Sequence, residues 1–134
     1  MFTFDLSQPK RYVLLWHEVP ETSDRRSHFD LMLEQSDSLA TWAFGRLPGV
    51  NEFIDAKLLP NHRLKYLDYE GEVSDNRGSV RRIDAGLFEV IQSQPHDIIF
   101  RLNGSQLSGL FQLSACEDDQ CGWVIVRRED FARR

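Results

Sequence analysis

Residues 97–113 read DIIFRLNGSQLSGLFQL, and this stretch carries the clearest structural signal in the chain. Two apolar runs, 97–102 and 106–113, lie on either side of the dipeptide Asn103-Gly104. Asparagine and glycine tolerate the positive φ angles of a type I′ turn, which joins adjacent antiparallel strands. We therefore expect a β-hairpin that turns at Asn103-Gly104.

The rest of the chain repeats this pattern of short apolar runs between polar or glycine-bearing connections. Further strands are expected at 12–16, 29–33, 39–44, 86–91 and 123–126. A second hairpin should turn within 116–122, and one short helix is expected around 61–68. Small sheets with this many strands avoid exposed edges by closing into a barrel or by packing as two sheets. The sequence favours the first: a mainly β fold, a small closed or partly open β-barrel of about eight short strands with one short helix.

The chain length of 134 residues favours a single domain. We expect residues 11–134 to form this domain and residues 1–10 to be a flexible N-terminal extension. The loosest segments are expected at 1–9, 19–27, 48–55 and 133–134.

Composition narrows the range of functions. The formal net charge of −5 argues against bulk adhesion to nucleic acid, which needs many contacts between basic residues and phosphates, although a local basic site stays open. No apolar run approaches the roughly 20 residues that cross a bilayer, and the N-terminus lacks a secretory signal pattern. We expect a cytoplasmic protein with no membrane partner. Its two cysteines, Cys116 and Cys121, are expected to be hairpin thiols rather than a functional pair.

The residues with the most chemical potential lie in the first half of the chain. His17 follows the run 12–16, and His28 and Asp30 alternate with apolar residues in HFDLMLE (28–34). Residues i and i+2 of a strand share a face, so His28 and Asp30 can meet one divalent ion, with His17 as a third ligand from a neighbouring strand. Two histidines and one carboxylate suit Mn²⁺, Fe²⁺ or Zn²⁺. The alternative is an ordinary solvated strand face.

A longer pattern joins these residues to the rest of the chain. After His17 it contains HFDLMLE (28–34), TWA (41–43), HRLKYLDYEG (62–71), GSV (78–80), DAGLFE (84–89) and WVIVRR (123–128). In order and approximate spacing it resembles the 3′-phosphoesterase domain of bacterial ATP-dependent DNA ligase D, the ligase of non-homologous end joining. The resemblance covers residues 11–130 and implies that the domain stands alone here, without ligase or polymerase modules.

The resemblance implies a DNA-repair enzyme that uses Mn²⁺, or another divalent transition metal such as Zn²⁺ or Co²⁺. Such an enzyme removes a 3′-phosphate or a 3′-ribonucleotide. The implied partners are nucleic-acid 3′ ends, in DNA or a primer-template, and a separate ligase or end-joining factor. The implied metal ligands are His17, His28 and Asp30. The implied catalytic residues are His62 against the scissile phosphate, Arg46 as a phosphate contact and Tyr66 as an orienting group.

The chain departs from the family pattern at Met32, in the longer loop 18–27, at Pro60-Asn61 before His62 and in a shortened loop at 72–77. The family has an arginine two residues after the metal-binding aspartate, and this chain has Met32 there. A thioether cannot neutralise a phosphate, so slow activity is expected. Arg25 and Arg26, in the long loop between the first two histidines, are the substrate-binding candidates to replace that cation. Two other functions stay open: a catalytically weak module that binds a metal and nucleic-acid ends, and a phosphoesterase for a small phosphorylated substrate.

Overall fold

The computed structural model describes residues 2–115 and 122–130. In this part of the chain it contains nine β-strands and one 3-10 helix. In chain order these are β1 (Lys10–Glu18), β2 (His28–Glu34), β3 (Leu39–Phe44), β4 (Phe53–His62), the 3-10 helix (Leu64–Leu67), β5 (Gly71–Glu72), β6 (Ser79–Gln94), β7 (Asp97–Gly104), β8 (Ser108–Ala115) and β9 (Trp123–Arg128).

Eight of the strands are hydrogen-bonded in a closed ring. The order is β1-β2-β3-β4-β9-β8-β7-β6, and β6 pairs again with β1. The length of β6 permits this closure, because residues 79–88 pair with β1 while residues 86–94 pair with β7. The prediction of a mainly β fold is confirmed, and the closure leaves these eight strands without a free edge.

Apolar side chains that alternate along the strands fill the interior of the ring. All eight ring strands contribute to this cluster. Its large members include Trp42, Phe88 and Phe100, each almost fully buried. Phe2 and Phe4, from the predicted N-terminal extension, also pack on it, and the rings of Phe2 and Trp42 lie 5.2 Å apart.

A second, smaller cluster lies on the opposite face of β1 and β2. Leu15 and Met32 are buried in it, and Leu67 of the 3-10 helix covers it. His17 lies two residues beyond Leu15, and Asp30 lies two residues before Met32. The alternation of side chains therefore places both polar residues beside this outer cluster, outside the ring interior.

The hairpin between β7 and β8 forms, but its turn differs from the predicted one. The turn spans residues 104–107 and is closed by a hydrogen bond of 2.8 Å from Gly104 N to Leu107 O. Neither Asn103 nor Gly104 has a positive φ angle, so the predicted type I′ turn is wrong. The carboxylate of Asp84, on β6, accepts a hydrogen bond of 2.7 Å from Leu107 N. A distant residue thus organises this turn.

Strand β4 was not predicted. It occupies part of the segment 48–55 that was expected to be loose, and it runs on to His62, where a helix was expected to begin. Ile54 and Ala56 are buried in the ring, while Asp55 between them is exposed. Because the strand continues so far, the predicted helix at 61–68 is reduced to one 3-10 turn.

Near the C-terminus, β8 and β9 pair with Ala115 opposite Trp123, as the second predicted hairpin requires. The turn itself, with Cys116 and Cys121, lies outside the described residues, as does the predicted loose tail at 133–134. Within residues 2–115 and 122–130, no helix has the length and apolar character needed to cross a membrane.

Candidate active site

Three predicted metal ligands come together where β1 and β2 pair. In the register of this pair His17 lies opposite His28, and Asp30 follows two residues later on the same face. Asp30 Oδ2 is 3.5 Å from His17 Nδ1, and Asp30 Oδ1 is 3.2 Å from His28 Nε2. One donor atom from each residue lies within 4.8 Å of the others. The strand register therefore assembles the group that the sequence could only suggest.

Backbone carbonyl groups hold both imidazole rings. His17 Nε2 lies 2.7 Å from the carbonyl oxygen of Arg77, and His28 Nδ1 lies 2.8 Å from that of Arg26. A carbonyl oxygen only accepts hydrogen bonds, so these contacts assign the N–H of each neutral ring to the outward nitrogen. The inward nitrogens, His17 Nδ1 and His28 Nε2, then carry lone pairs directed toward Asp30.

Glycine at position 78 makes the contact with His17 possible. Gly78 has a φ angle of +97°, and a Cβ atom there would lie 1.9 Å from the carbonyl oxygen of Glu18. No other amino acid fits so close to the end of β1, so Gly78 lets the preceding loop bring the Arg77 carbonyl to His17. Arg77 was not predicted as part of the site. In the local sequence, only the glycine that follows Arg77 indicates that the backbone makes a close approach here.

The charges in the group are coupled. The Asp30 carboxylate raises the pKa of His17 above its ordinary value, although burial opposes this. Burial also raises the pKa of the Asp30 carboxyl, but the contacts with His17 and His28 outweigh it and the net shift is downward. Asp30 Oδ1 is buried and has no hydrogen bond of good geometry, despite its 3.2 Å approach to His28 Nε2.

This donor set fits a divalent metal ion. Two imidazole nitrogens and a carboxylate oxygen are all electron-pair donors, and facing one another they repel unless a cation or a proton lies between them. The unsatisfied Asp30 Oδ1 and the carbonyl-held imidazoles are the features expected around a metal. The residues therefore form a possible His-His-Asp metal site.

Two members of the group, His17 and Asp30, line a cavity of about 640 Å³, a size usual for binding small ligands. His17, Asp30 and Met32 line one side of it. His62 and Tyr66, two of the predicted catalytic residues, also line it. With Arg25, the structure thus brings six of the residues discussed in the sequence to one cavity.

His62 and Tyr66 form an aromatic pair at the junction of β4 and the 3-10 helix. Their ring centroids are 5.8 Å apart in an edge-to-face arrangement. His62 Nδ1 lies 2.9 Å from the carbonyl oxygen of Pro60, which leaves Nε2 available to a ligand. Because β4 extends to residue 62, which was not predicted, His62 lies at the cavity.

The three predicted arginines have different positions. Arg25 lines the cavity, and its guanidinium donates a hydrogen bond of 3.2 Å to His28 Nε2. Arg26 is exposed and contributes its carbonyl oxygen to His28. Arg46 lies in a separate depression and forms an ion pair of 2.7 Å with Glu52. The structure therefore brings Arg25, but not Arg46, to the candidate metal site.

Ring closure by antiparallel strands and a carboxylate between two histidines define a small β protein with a candidate His-His-Asp metal site on the outer face of its sheet. Comparison with protein families agrees with this description. Residues 21–115 match the family described as the DNA Ligase D 3′-phosphoesterase domain. The chain belongs to this family. The matched range includes His28, Asp30, His62 and Tyr66, whereas His17 precedes it. No curated protein matches the chain.

Proposed function

We propose that this protein is a metal-dependent phosphoesterase that removes a 3′-phosphate or a 3′-ribonucleotide from nucleic-acid ends. Mn²⁺ is the proposed metal, with Zn²⁺ or Co²⁺ as alternatives. The observation that carries the proposal is the convergence of His17, His28 and Asp30, of which His17 and Asp30 line a cavity. Membership of the 3′-phosphoesterase family supports the reaction class.

His17, His28 and Asp30 would hold the metal. A divalent ion bound there supplies Lewis acidity toward a phosphate oxygen. Backbone carbonyl groups already orient the two histidines, so the ligands need little reorganisation when the metal and the substrate bind.

His62 would act on the phosphate rather than on the metal. Its Nε2 atom is free for a ligand because Nδ1 faces the Pro60 carbonyl. An imidazole can donate a proton to a leaving oxygen near neutral pH. Tyr66 packs against the His62 ring and would keep it oriented toward the cavity.

Positive charge for the substrate phosphate would come from Arg25, which lines the cavity. The substrate role predicted for Arg26 is supported only by its position next to Arg25 in the loop, since Arg26 does not line the cavity. The role predicted for Arg46 stays a prediction that its position does not support, because its guanidinium is paired with Glu52.

Nucleic-acid 3′ ends are the proposed partners. An enzyme that acts on one terminus needs only a few cationic contacts, which a net charge of −5 permits. The product would be a 3′-hydroxyl end, which a separate ligase or end-joining factor could use.

The test is release of phosphate from a 3′-phosphorylated oligonucleotide with and without added Mn²⁺. We expect slow, Mn²⁺-dependent release by the natural protein and none by His28→Ala, which also excludes a contaminating phosphatase. A 5′-phosphorylated oligonucleotide should not be hydrolysed. Hydrolysis of small phosphoesters without activity on the oligonucleotide would replace the proposed substrate class with a small molecule.

One observation favours a second function, a module that binds metal and nucleic-acid ends without turnover. Met32 lies beside Asp30 at the cavity and is buried, so a thioether lines the position where the family has an arginine. Mn²⁺-dependent binding of the oligonucleotide, with release no faster than that of His28→Ala, would establish this second function.

A further inference from the structure

Arg25 makes a contact that is incompatible with metal coordination by His28. Its guanidinium donates to His28 Nε2 over 3.2 Å, and the other ring nitrogen of His28 is engaged by the Arg26 carbonyl. Nε2 of a neutral imidazole has one lone pair, which can accept a hydrogen bond or bind a metal but not both. A guanidinium stays protonated at any ordinary pH, so it cannot release His28 Nε2 by losing a proton.

The electrostatics of the group lead to the same conclusion. The buried Asp30 carboxylate faces the two imidazoles, and the Arg25 guanidinium brings a positive charge to this group. A divalent ion would bring a larger positive charge to the same place and repel the guanidinium. Metal and Arg25 therefore compete for one position beside His28.

The loop that carries Arg25 allows its side chain to leave His28. The backbone is held at several points, including hydrogen bonds from Ser23 N to Pro20 O at 2.9 Å and from Val19 N to Ser27 Oγ at 3.0 Å. Arg25 itself is exposed, so only its tip is engaged at the site. A rotation of this side chain can move the guanidinium without rearranging the loop.

We propose that Arg25 is a substrate-binding residue that rests on His28 Nε2, and that metal binding displaces it toward the phosphate in the cavity. The inference rests on the proposed metal site and adds an order of events to it: the metal binds first and the phosphate second. Arg25 is one of the cavity residues and follows Thr22 and Ser23, which also line the cavity. Its guanidinium is suited to bidentate hydrogen bonding with a phosphate.

The first measurement is the Mn²⁺ dissociation constant by isothermal titration calorimetry at neutral pH. Arg25→Ala removes the competitor, so it should bind Mn²⁺ about two- to tenfold more tightly, the range that corresponds to one hydrogen bond in a protein. Arg81→Ala is the matched control, because Arg81 is an exposed residue of β6 outside the cavity lining and its loss changes the net charge equally. Arg81→Ala should leave the Mn²⁺ affinity unchanged.

The second measurement is the binding of inorganic phosphate to the Mn²⁺-loaded protein. Here Arg25→Ala should weaken binding by about tenfold or more, because a charge-assisted contact is lost. Arg25→Lys keeps the charge but not the fork of donors, so it should recover part of the phosphate affinity. A residue that merely supported the loop would not change the two affinities in opposite directions.

The outcomes separate this inference from the proposed function. Equal Mn²⁺ affinity in the natural protein and Arg25→Ala would overturn the competition while leaving the metal site intact. Tighter Mn²⁺ binding with unchanged phosphate affinity would overturn the substrate role of Arg25. Failure of the natural protein and all variants to bind Mn²⁺, Zn²⁺ or Co²⁺ would overturn the metal site and this inference with it.

Discussion

Replacing Asp30 by asparagine should remove most of the stabilisation of the protein by Mn²⁺ while leaving the metal-free fold almost unchanged. Asp30 is buried, and its Oδ1 atom has no hydrogen bond. Asparagine has nearly the same shape. It loses the attraction to His17 and His28 but also removes the cost of burying a charge, so only the difference between the two contributions is lost. We expect the free energy of unfolding without metal to change by less than about 1 kcal/mol.

The effect on metal-linked stability is much larger. At a Mn²⁺ concentration about 100 times the dissociation constant, binding to the folded state adds about 2.7 kcal/mol to the free energy of unfolding. For a chain of 134 residues each 1 kcal/mol shifts Tm by about 3–5 °C, so Mn²⁺ should raise Tm of the natural protein by about 10 °C. If the loss of one of three ligands weakens binding about 100-fold, the same Mn²⁺ concentration adds only about 0.4 kcal/mol. Tm should then rise by less than about 2 °C.

The assay is thermal unfolding followed by circular dichroism, with Mn²⁺ and again after addition of a chelator. Asp55→Asn is the matched control, because Asp55 is an exposed aspartate of β4 far along the chain from the metal group. It should keep the full Mn²⁺ shift. If Asp30→Asn retained most of the shift, Asp30 would not be a ligand, and the assignment of the site to these three residues would be refuted.

Three further perturbations test other parts of the molecule. His62→Ala should lower turnover of a 3′-phosphorylated oligonucleotide at least tenfold. The Mn²⁺ dissociation constant should not change, because His62 is not in the three-residue donor group. Loss of Mn²⁺ binding in proportion to the loss of turnover would show that His62 is a metal ligand. Met32→Arg should lower Tm, because the Met32 side chain is buried at 1% exposure. It should nevertheless raise turnover about tenfold, which corresponds to a barrier lower by about 1.4 kcal/mol. Turnover no faster than that of His28→Ala would contradict this prediction. Asp84→Ala should cost about 2–4 kcal/mol in urea unfolding, because the buried Tyr12 hydroxyl loses its acceptor at 2.7 Å and keeps only the Leu107 carbonyl at 3.4 Å, while the N–H groups of residues 105–107 lose the Asp84 carboxylate. Burial raises the pKa of Asp84, but its hydrogen bonds outweigh this and hold it below the usual value of 3.8, so its stabilisation is complete above about pH 4 and is lost as pH falls through the folded-state pKa. Asp84→Ala should therefore lose less stability in acid than the natural protein, and an equal acid loss in both would count against this role.

Much of the architecture could be predicted because strand signals are local. All seven expected apolar runs overlap observed strands, since alternation along a strand is a property of neighbouring residues. β4 escaped prediction because Pro60 and the polar Asp55 and Lys57 obscured its pattern. It is stabilised as a strand by pairing with β3 and β9, partners distant in sequence.

The candidate site also contains features that the local sequence predicts and features that depend on distant segments. The face shared by His28 and Asp30 could be predicted, and so could the position of Met32 beside them. The family pattern pointed to His62 and Tyr66, which the structure brings to the same cavity. It also pointed to Arg46, which pairs with Glu52 instead, because contact between an arginine and a site depends on the path of the loop that carries it.

The sequence alone determined that the chain forms short strands and that His28, Asp30 and Met32 share one face. Both follow from the two-residue repeat of an extended backbone, which needs no information about distant residues. Only the tertiary structure decided that His17 lies opposite His28, that Gly78 brings the Arg77 carbonyl to His17, and that Arg25 engages His28 Nε2. These features depend on strand register and on close approach between separate segments, and such contacts arise from packing the whole chain, which no local repeat encodes.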